Sequence, residues 1–255
     1  MILSPIEQSI KRKIEAVGTP LKDWDIQINY GIKTGYNDAF IISTEKRNEI
    51  LANCKTEEER RKTEELIRPI LRGRDIKRYG YEWADLWLIN THNGVKGRIP
   101  RIRIEDYPAV KAHLDQFWDK IKDRADQGDT PYNLRNCAYL EEFSKPKIIY
   151  NDIAQTLSFA LSKDGEFLNN TAYFFGSYDI SLLSYLQAVL NSDLIDWYYR
   201  TISVQLGEKA VRMFSIYVLK IPIPKNIVKI ENEDAVYKMY GLTVQEVNFL
   251  KTRGH

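Results

Sequence analysis

The residues with the clearest chemical potential are the cations of one short segment, residues 67–79. Its charged side chains are Arg68, Arg72, Arg74, Lys77 and Arg78, opposed only by Asp75. A guanidinium presents a planar fork of donors that fits phosphate oxygens and the edge of guanine. Ile70, Leu71 and Ile76 provide apolar surface that can anchor the segment in a core. The pattern is typical of a segment that positions a polyanion, and a solvated turn with ordinary surface arginines explains it as well.

The charge of the chain is concentrated in two segments. The 255 residues carry a formal net charge of only +2. Residues 68–103 contain nine Lys or Arg against three Asp or Glu, and residues 200–225 contain five against one. Two basic segments on a near-neutral background predict one charged face, which is the usual electrostatic footprint of a nucleic-acid binder. Charge alone leaves DNA, RNA, a membrane surface and an acidic partner open.

The composition is that of a soluble globular protein, with 44% hydrophobic and 28% charged residues. No apolar run approaches the roughly 18 residues of a membrane span. The N-terminal residues lack the basic and apolar regions of a signal peptide. Cys54 and Cys137 are the only cysteines and have no metal or redox spacing. We therefore expect a cytoplasmic protein without a disulfide framework and without a membrane partner.

Catalytic motifs are sparse. The three histidines lie far apart in the sequence, which argues against a zinc site. Asp75-Ile-Lys77 has the Asp-x-Lys form of nuclease metal sites, but arginines rather than further carboxylates surround it. Methylation of the adenine amino group requires an Asn/Asp-Pro-Pro-Tyr-type element to hold the flipped base, and the chain has no Asn-Pro or Asp-Pro dipeptide. We expect no catalysis of methyl transfer by this chain alone, and a magnesium-dependent nuclease stays an alternative.

Several helices are marked by their start signals. A capping box pairs a Ser or Thr with a Glu three residues later. The matching pairs are Ser4 with Glu7, Thr56 with Glu59, and Thr243 with Glu246. A further helix is predicted to begin at Asp106 and to bury one stripe in the core. That stripe consists of Tyr107, Val110, Leu114, Phe117 and Ile121.

The strands that we predict are residues 25–30, 39–42, 85–89, 147–150, 157–161 and 167–175. The glycine-rich residues 31–38 join the first two, either as a hairpin turn or as a loop whose Lys33 and Thr34 contact a phosphate. Two further loops, residues 90–103 and 129–135, are long or polar and carry cations. Loops of this kind in a compact domain are often functional.

These segments together resemble the TaqI-like C-terminal specificity domain, a family found in adenine-specific DNA methyltransferases and in single-chain type II restriction–modification enzymes. The matching residues are 30–42, 67–79, 130–137, 145–150, 190–199, 221–224 and 236–243, so that the match runs from about residue 24 to about residue 250. Leu190-Asn-Ser192 followed by Ile221-Pro-Ile-Pro224 is also similar to target-recognition domains of type I restriction specificity subunits.

The resemblance implies an α+β fold, with a mixed, mostly antiparallel twisted sheet flanked by helices and a helical C-terminal tail. It divides the chain into a linking helix (1–20), a DNA target-recognition domain (21–225) and the tail (226–255). It implies sequence-specific binding of double-stranded DNA, with a methyltransferase domain of the parent polypeptide as partner. S-adenosylmethionine and magnesium are expected only for catalytic domains outside this chain. Residual nuclease or methyltransferase activity and a protein-interaction module remain the alternatives.

Candidate DNA contacts follow from charge and position. The predicted backbone contacts are Lys33, Thr34, Arg68, Arg72, Arg74, Lys77, Arg78, Lys209 and Arg212. The predicted base readers are Asn90, His92, Asn93, Arg98, Arg101, Asn133, Arg135 and Gln155. Because the resemblance makes residues 67–79 a recurring element, we expect specificity to lie instead in the loops at 90–103 and 129–135 and in the strands that follow them.

Overall fold

One four-stranded sheet has a hydrophobic core on each of its two faces. Residues 3–163 and 165–253 are described in this computed structural model. In the strand Lys147–Asn151, Ile148 and Tyr150 pack into one core, whereas Ile149 packs into the other. Successive side chains of a strand point to opposite faces, so a nearly continuous apolar run is what a strand between two cores requires.

The helices and strands are short and numerous. The helices are α1 Pro5–Val17, α2 Asn37–Phe40, α3 Thr44–Ala52, α4 Glu57–Leu66, α5 Pro108–Asp115, α6 Trp118–Ile121, α7 Ile180–Leu190, α8 Asp193–Ile202, α9 Ser215–Val218, α10 Glu233–Met239 and α11 Val244–Arg253. The strands are β1 Thr19–Pro20, β2 Asn29–Tyr30, β3 Ile41–Ser43, β4 Ile67–Leu71, β5 Ile76–Lys77, β6 Gly80–Tyr81, β7 Leu86–Ile89, β8 Lys147–Asn151, β9 Ile153–Ala154, β10 Phe159–Ser162, β11 Phe167–Leu168, β12 Ala172–Gly176, β13 Gln205–Leu206, β14 Ala210–Arg212 and β15 Pro222–Ile223.

The strands form two main sheets. The central sheet has the order β10-β8-β12-β2, and the second sheet has the order β11-β4-β7-β3. Smaller sheets are formed by β13-β14-β9, β1-β15 and β5-β6. Among the described strands every ladder is antiparallel except the pairing of β4 with β11. The predicted α+β fold with a mixed, mostly antiparallel sheet is therefore confirmed.

Each core has its own covering elements. The core that we call the helical core lies between the central sheet and α1, α7, α8, α10 and α11. The core that we call the sheet core lies between the central sheet and the second sheet, with α5 packed into it. Ile14, Tyr199 and Tyr240 share the helical core, so residues from all three predicted segments of the chain pack against one another. The boundaries of those segments stay predictions.

The capping boxes of α1 and α11 are confirmed, whereas at α4 the carboxylate of Glu59 accepts from the amides of Lys55 and Ala109 and not from that of Thr56. In α1, both the amide and the hydroxyl of Ser4 donate to Glu7 at 2.7 Å. At the start of α4, Thr56 accepts from the amide of Glu59 at 3.1 Å. At the start of α11, the amide of Thr243 donates to Glu246 at 2.7 Å. Because the capping bonds join groups three residues apart, residue order determines them without tertiary packing.

Two strand predictions are wrong in their bounds, and one of the two alternatives for residues 31–38 is excluded. The strand predicted at 25–30 forms ladder bonds only at Asn29–Tyr30, although Ile26 and Ile28 do pack on the helical core. Residues 37–40 form a helical turn before the strand Ile41–Ser43. Residues 31–38 are not a hairpin turn, because β2 belongs to the central sheet and β3 to the second; they cross from one sheet to the other.

The helix predicted at Asp106 begins two residues later. Pro108 occupies its first turn and Tyr107 its N-cap, while Asp106 closes a short 3-10 turn. The helix stops at Asp115 and resumes as α6. The buried stripe is nevertheless confirmed, since Val110, Leu114 and Ile121 are fully buried in the sheet core. Among the described residues, no helix is long and apolar enough to cross a membrane.

Glu246 connects α11 to α1 and is expected to make stability depend on pH. Its carboxylate is 4% exposed and accepts from Ser9 at 2.8 Å and from Lys13 at 2.7 Å. Burial opposes its ionisation, but bonds from Lys13, Ser9 and Thr243 outweigh it and lower its pKa from 4.5 to about 2. A lowered folded-state pKa stabilises the fold above pH 4.5, and this stabilisation is lost as the pH falls toward 2.

Glu246→Gln is therefore expected to lower the free energy of unfolding by about 3 kcal/mol at pH 7 and by about 1 kcal/mol at pH 3. Urea unfolding at the two pH values measures this difference. Glu231→Gln is the matched control, because Glu231 is exposed and its ion pair with Lys229 is long, at 3.7 Å. We expect this variant to change the free energy of unfolding little at either pH. An equal loss for Glu246→Gln at both pH values contradicts the prediction.

Candidate DNA interface

Residues 67–79 form a strand of the second sheet and then continue outside that sheet. They run along β4, turn at Gly73–Asp75 and enter the hairpin of β5 and β6. The side chain of Arg72 donates to both oxygens of Asp75, at 2.9 and 2.7 Å, and its amide donates at 2.8 Å. Burial opposes ionisation of Asp75, but these bonds from Arg72 lower its pKa overall. The guanidinium fork of Arg72 is therefore engaged within its own turn.

The other cations of this segment differ in their surroundings. Arg74 and Lys77 are exposed, and Lys77 donates to the carbonyl of Arg74 at 3.1 Å. Arg78 donates to the carbonyl of Asn191 and to Asp193 at 3.1 Å, which joins the β5–β6 hairpin to the junction of α7 and α8. Arg68 is half-buried. Among the described residues, the side chain of Arg74 is thus exposed without a hydrogen bond or ion pair, and the buried Nε of Arg68 is also without an acceptor.

The second basic segment lies next to the first. The amide of Gly73 donates to the hydroxyl of Thr171 at 2.8 Å, and the amide of Asp152 donates to the carbonyl of Thr171 at 3.0 Å. Asp152 in turn lies 3.9 Å from Arg212 on β14. The two segments therefore meet at Thr171 and Asp152. Two further candidates nearby, Lys209 and Gln155, are exposed, and their backbone carbonyls both accept from Arg200.

The loops at 90–103 and 129–135 contact each other. The amide of Leu134 donates to the carbonyl of Thr91 at 2.9 Å. The side chain of Asn93 donates to Asp129 at 3.0 Å and accepts from the amide of Asp129 at 2.9 Å. A depression of about 820 Å³ is lined by residues 93–101 of the first loop, by Asp129 of the second and by residues 136–138. Its polar lining includes Asn93, Lys96, Arg98, Arg101, Asp129 and Asn136.

A tight turn rims this depression. The amides of Arg98 and Ile99 both donate to the carbonyl of Val95 at 2.9 Å. Gly97 lies inside the turn with φ +77°, a conformation that side chains with a Cβ rarely adopt. Lys96 and Arg98 flank it and are exposed. The turn therefore presents two cations on a short projection.

Apart from Asn93 and Gln155, the predicted base readers fall into two groups. Arg98, Arg101 and Arg135 are exposed, and each is held by a carboxylate. The distances are 2.7 Å from Arg98 to Glu141, 3.3 Å from Arg101 to Asp129 and 3.2 Å from Arg135 to Asp126. These three side chains can exchange an acidic partner for a DNA group without unfolding the loops.

The second group is less exposed than the three arginines and consists of Asn90, His92 and Asn133. Asn133 is 2% exposed, donates to the carbonyl of Ile102 at 2.9 Å and accepts from Thr130 at 2.7 Å. His92 accepts from the amide of Gly94 at 3.2 Å, and burial lowers its pKa. Asn90 is 8% exposed. The side chain of Asn133 therefore has a structural role, because it connects the two loops. Its role in base reading stays a prediction.

Arg124 is a central residue that sequence reasoning missed. Its guanidinium is 7% exposed, stacks 4.5 Å from the ring centre of Phe40 and donates to four backbone carbonyls. The distances are 2.8 Å to Thr34, 3.1 Å to Ile121 and 2.6 Å to Asn133, and Pro131 is the fourth acceptor. Burial lowers its pKa to about 10, so the group remains charged at neutral pH. The only sequence signal was a cation just after a helix.

Arg124 also determines where Lys33 and Thr34 lie. The carbonyl of Thr34 accepts from Arg124, and the hydroxyl of Thr34 donates to Asn37 at 2.6 Å. Lys33 lies 3.2 Å from Asp126. The structure thus brings the loop at 31–38 to the loop at 129–135 and not to the basic segment at 67–79. Among the described residues, no three His, Cys, Asp or Glu side chains are grouped as metal ligands.

Comparison with known families identifies the chain. The family described as the TaqI-like C-terminal specificity domain matches residues 68–223, which is more than half of the sequence. The chain belongs to this family. Residues 68–223 of the specificity domain include β4, both loops of the depression and the central strands β8, β10 and β12. The resemblance drawn from the sequence is thereby confirmed.

Two solved structures share the fold of this specificity domain. One is the type IIL restriction–modification enzyme MmeI in complex with DNA, with a TM-score of 0.55 and 15% identity, covering 79% of this chain and 25% of that chain. The other is the type IIG restriction endonuclease BpuSI, with a TM-score of 0.53 and 12% identity, covering 93% of this chain and 28% of that chain. The specificity domain thus spans about a quarter of each enzyme. No curated protein matches the sequence.

Proposed function

We propose that this specificity domain binds duplex DNA and reads a short target sequence. The observation that carries the proposal is the contact between the loops at 90–103 and 129–135, beside one depression lined by the exposed cations Lys96, Arg98 and Arg101. The chain that contains them belongs to the specificity-domain family. Exposed arginines that can leave a carboxylate partner are suited to the acceptors on guanine in the major groove.

The proposed contacts divide into two functions. Arg74, Lys77, Lys209 and Arg212 lie on the adjoining basic segments and would hold phosphates, which position a protein on DNA without reading its sequence. Arg98 and Arg101 would read base edges. Arg135 would do so on a target sequence, and on other sequences it would be available only to a phosphate. Arg72 and Asn133 would support these groups from within the fold, because their polar atoms are bound to the protein itself.

Chemistry is proposed to belong to a partner domain. A methyltransferase domain of the parent polypeptide would bind S-adenosylmethionine, and magnesium would serve a cleaving domain, while this chain presents the DNA. The DNA-bound state of MmeI, which shares the fold, supports a DNA partner here. A cytoplasmic location belongs to the same proposal, since a restriction–modification enzyme meets its DNA there.

The test is a titration with salt followed by a selection. Binding to random duplex should weaken with salt, with a slope of about −0.9 in log affinity per log salt for each phosphate neutralised. Repeated selection from a random duplex pool should then enrich one short motif. A slope near zero, or no binding to any duplex, contradicts the proposal and favours a protein-interaction module.

A variant separates reading from holding. Arg98→Gln/Arg101→Gln is expected to abolish enrichment of the motif while retaining binding to random duplex. Arg60→Gln/Arg61→Gln is the matched control, because both arginines are exposed on α4 and Arg61 pairs with Glu65 at 2.8 Å, and it should enrich the same motif as the parent chain. Unchanged enrichment in the double variant assigns base reading to other residues.

A further inference from the structure

One carboxylate joins two loops that are candidates for DNA contact. Asp126 lies 3.2 Å from Lys33 in the loop at 31–38 and 3.2 Å from Arg135 at the end of the loop at 129–135. The side chain of Asp126 is only 17% exposed, whereas Lys33 and Arg135 are 46% and 49% exposed. The carboxylate of Asp126 is therefore largely buried, and the two more exposed cations both contact it.

The position of Asp126 is built into the fold. Gly35 has φ +72°, and a Cβ there would lie 3.0 Å from the side chain of Arg124 and 3.1 Å from that of Asp126. The turn at Gly35 thus packs directly on both residues. Arg124 is fixed in turn by its four carbonyl acceptors. Asp126 cannot follow Lys33 or Arg135 outward without disturbing this packing.

The arrangement has a consequence for DNA binding. A phosphate that binds Lys33 or Arg135 must compete with the carboxylate of Asp126. When the cation moves to the phosphate, this carboxylate loses an ion-pair partner, and its limited exposure to water replaces that partner only in part. Phosphates are the same on every sequence, so a random duplex offers only this exchange. A target sequence adds base contacts that can offset its cost.

We propose that Asp126 is a specificity-determining residue that restrains sequence-independent binding by occupying Lys33 and Arg135 in the free protein. The inference rests on the proposed function of DNA recognition and adds to it a residue that touches no DNA. Removing the carboxylate frees two cations for phosphate. Affinity for random duplex then rises, while affinity for the selected target rises less, and discrimination between them falls.

The test compares Asp126→Asn with Asp119→Asn. Asp119 is exposed and pairs with Lys122 at 2.8 Å on α6, so both variants remove one negative charge and free a neighbouring lysine. Asp126→Asn is expected to bind random duplex about tenfold more tightly at low salt, with a salt slope steeper by about 1–2. Asp119→Asn should change either quantity little. Thermal unfolding verifies that both variants are folded.

A double-mutant cycle identifies the residues through which Asp126 acts. In the background Lys33→Ala/Arg135→Ala, Asp126→Asn should no longer change the affinity for random duplex, because the cations that it frees are absent. A tenfold gain that persists in this background overturns the inference and leaves only a general effect of charge.

Two further outcomes are decisive. If the parent chain binds duplex and Asp126→Asn equals Asp119→Asn or binds more weakly, the inference is wrong, since Asp126 then orients the cations for DNA or does nothing. If the parent chain binds no duplex at any salt concentration, the proposed function fails and the inference fails with it.

Discussion

Arg124→Met is expected to lower the free energy of unfolding by about 3–5 kcal/mol and to abolish sequence discrimination. The replacement removes donors from four carbonyls in the loops at 31–38 and 129–135 and at the end of α6. The carbonyl of Asn133 keeps the amide of Gly128 at 2.9 Å, and that of Ile121 keeps the backbone amide of residue 124 at 3.5 Å, so Thr34 and Pro131 are, among the described residues, the acceptors left without a donor. Each such buried acceptor costs about 1–3 kcal/mol, and water entering from the loops compensates for part of the loss. Urea unfolding and the selection experiment measure the two effects.

Two controls refine this prediction. Arg103→Met makes the same chemical change at an exposed arginine and should alter stability by less than about 0.5 kcal/mol. Arg124→Lys keeps the charge but loses the planar fork, so it should fall between the parent chain and Arg124→Met. If Arg124→Lys matches the parent chain, the charge and not the set of carbonyl bonds is what matters.

Asn191→Ala is expected to lower the free energy of unfolding by about 2–4 kcal/mol. Asn191 is 1% exposed and binds both backbone groups of Phe159 on the edge strand β10, accepting from the amide at 2.8 Å and donating to the carbonyl at 2.8 Å. The side chain thus acts as a short additional strand. Its removal leaves the amide of Phe159 buried without an acceptor, whereas the carbonyl keeps a bond from Gln187 at 3.2 Å.

The matched control is Asn53→Ala, because Asn53 is exposed at the end of α3. It should cost less than about 0.5 kcal/mol. Denaturant unfolding of both variants decides the matter, and equal costs for the two contradict the proposed role of Asn191. The Leu190-Asn-Ser192 motif thereby has a physical explanation: Asn191 completes β10, and the hydroxyl of Ser192 accepts from the amide of Ile195 to cap α8.

Local structure was predictable where the deciding groups are close along the chain. The predicted helix caps Ser4, Thr56 and Thr243 bond to residues three positions further along the chain. The strand at 147–150 was visible because a sheet with a core on each face needs an uninterrupted apolar run. The family resemblance also rested on short ordered motifs.

The crossing at 31–38 shows what such reasoning misses. Residues 25–30 alternate and residues 39–42 are apolar, so a hairpin satisfied both patterns and the glycines between them. Only the pairing of β2 with β12 and of β3 with β7 separates the two segments into different sheets. Strand partners depend on packing across the whole domain, and periodicity carries no information about them.

The chemical state of the candidate interface was likewise set by tertiary contacts. The positions of the loops and the number of their cations could be predicted from the sequence, because both follow from which residues are present and in what order. Arg124 and Thr34 are 90 residues apart and Asn93 and Asp129 are 36 apart, and their contacts arise only when the two sheets have packed. The tertiary structure therefore determines which arginines are bound by other groups of the protein and which are exposed. It also places Asp126 between Lys33 and Arg135. Both results depend on proximity in space and not on residue order.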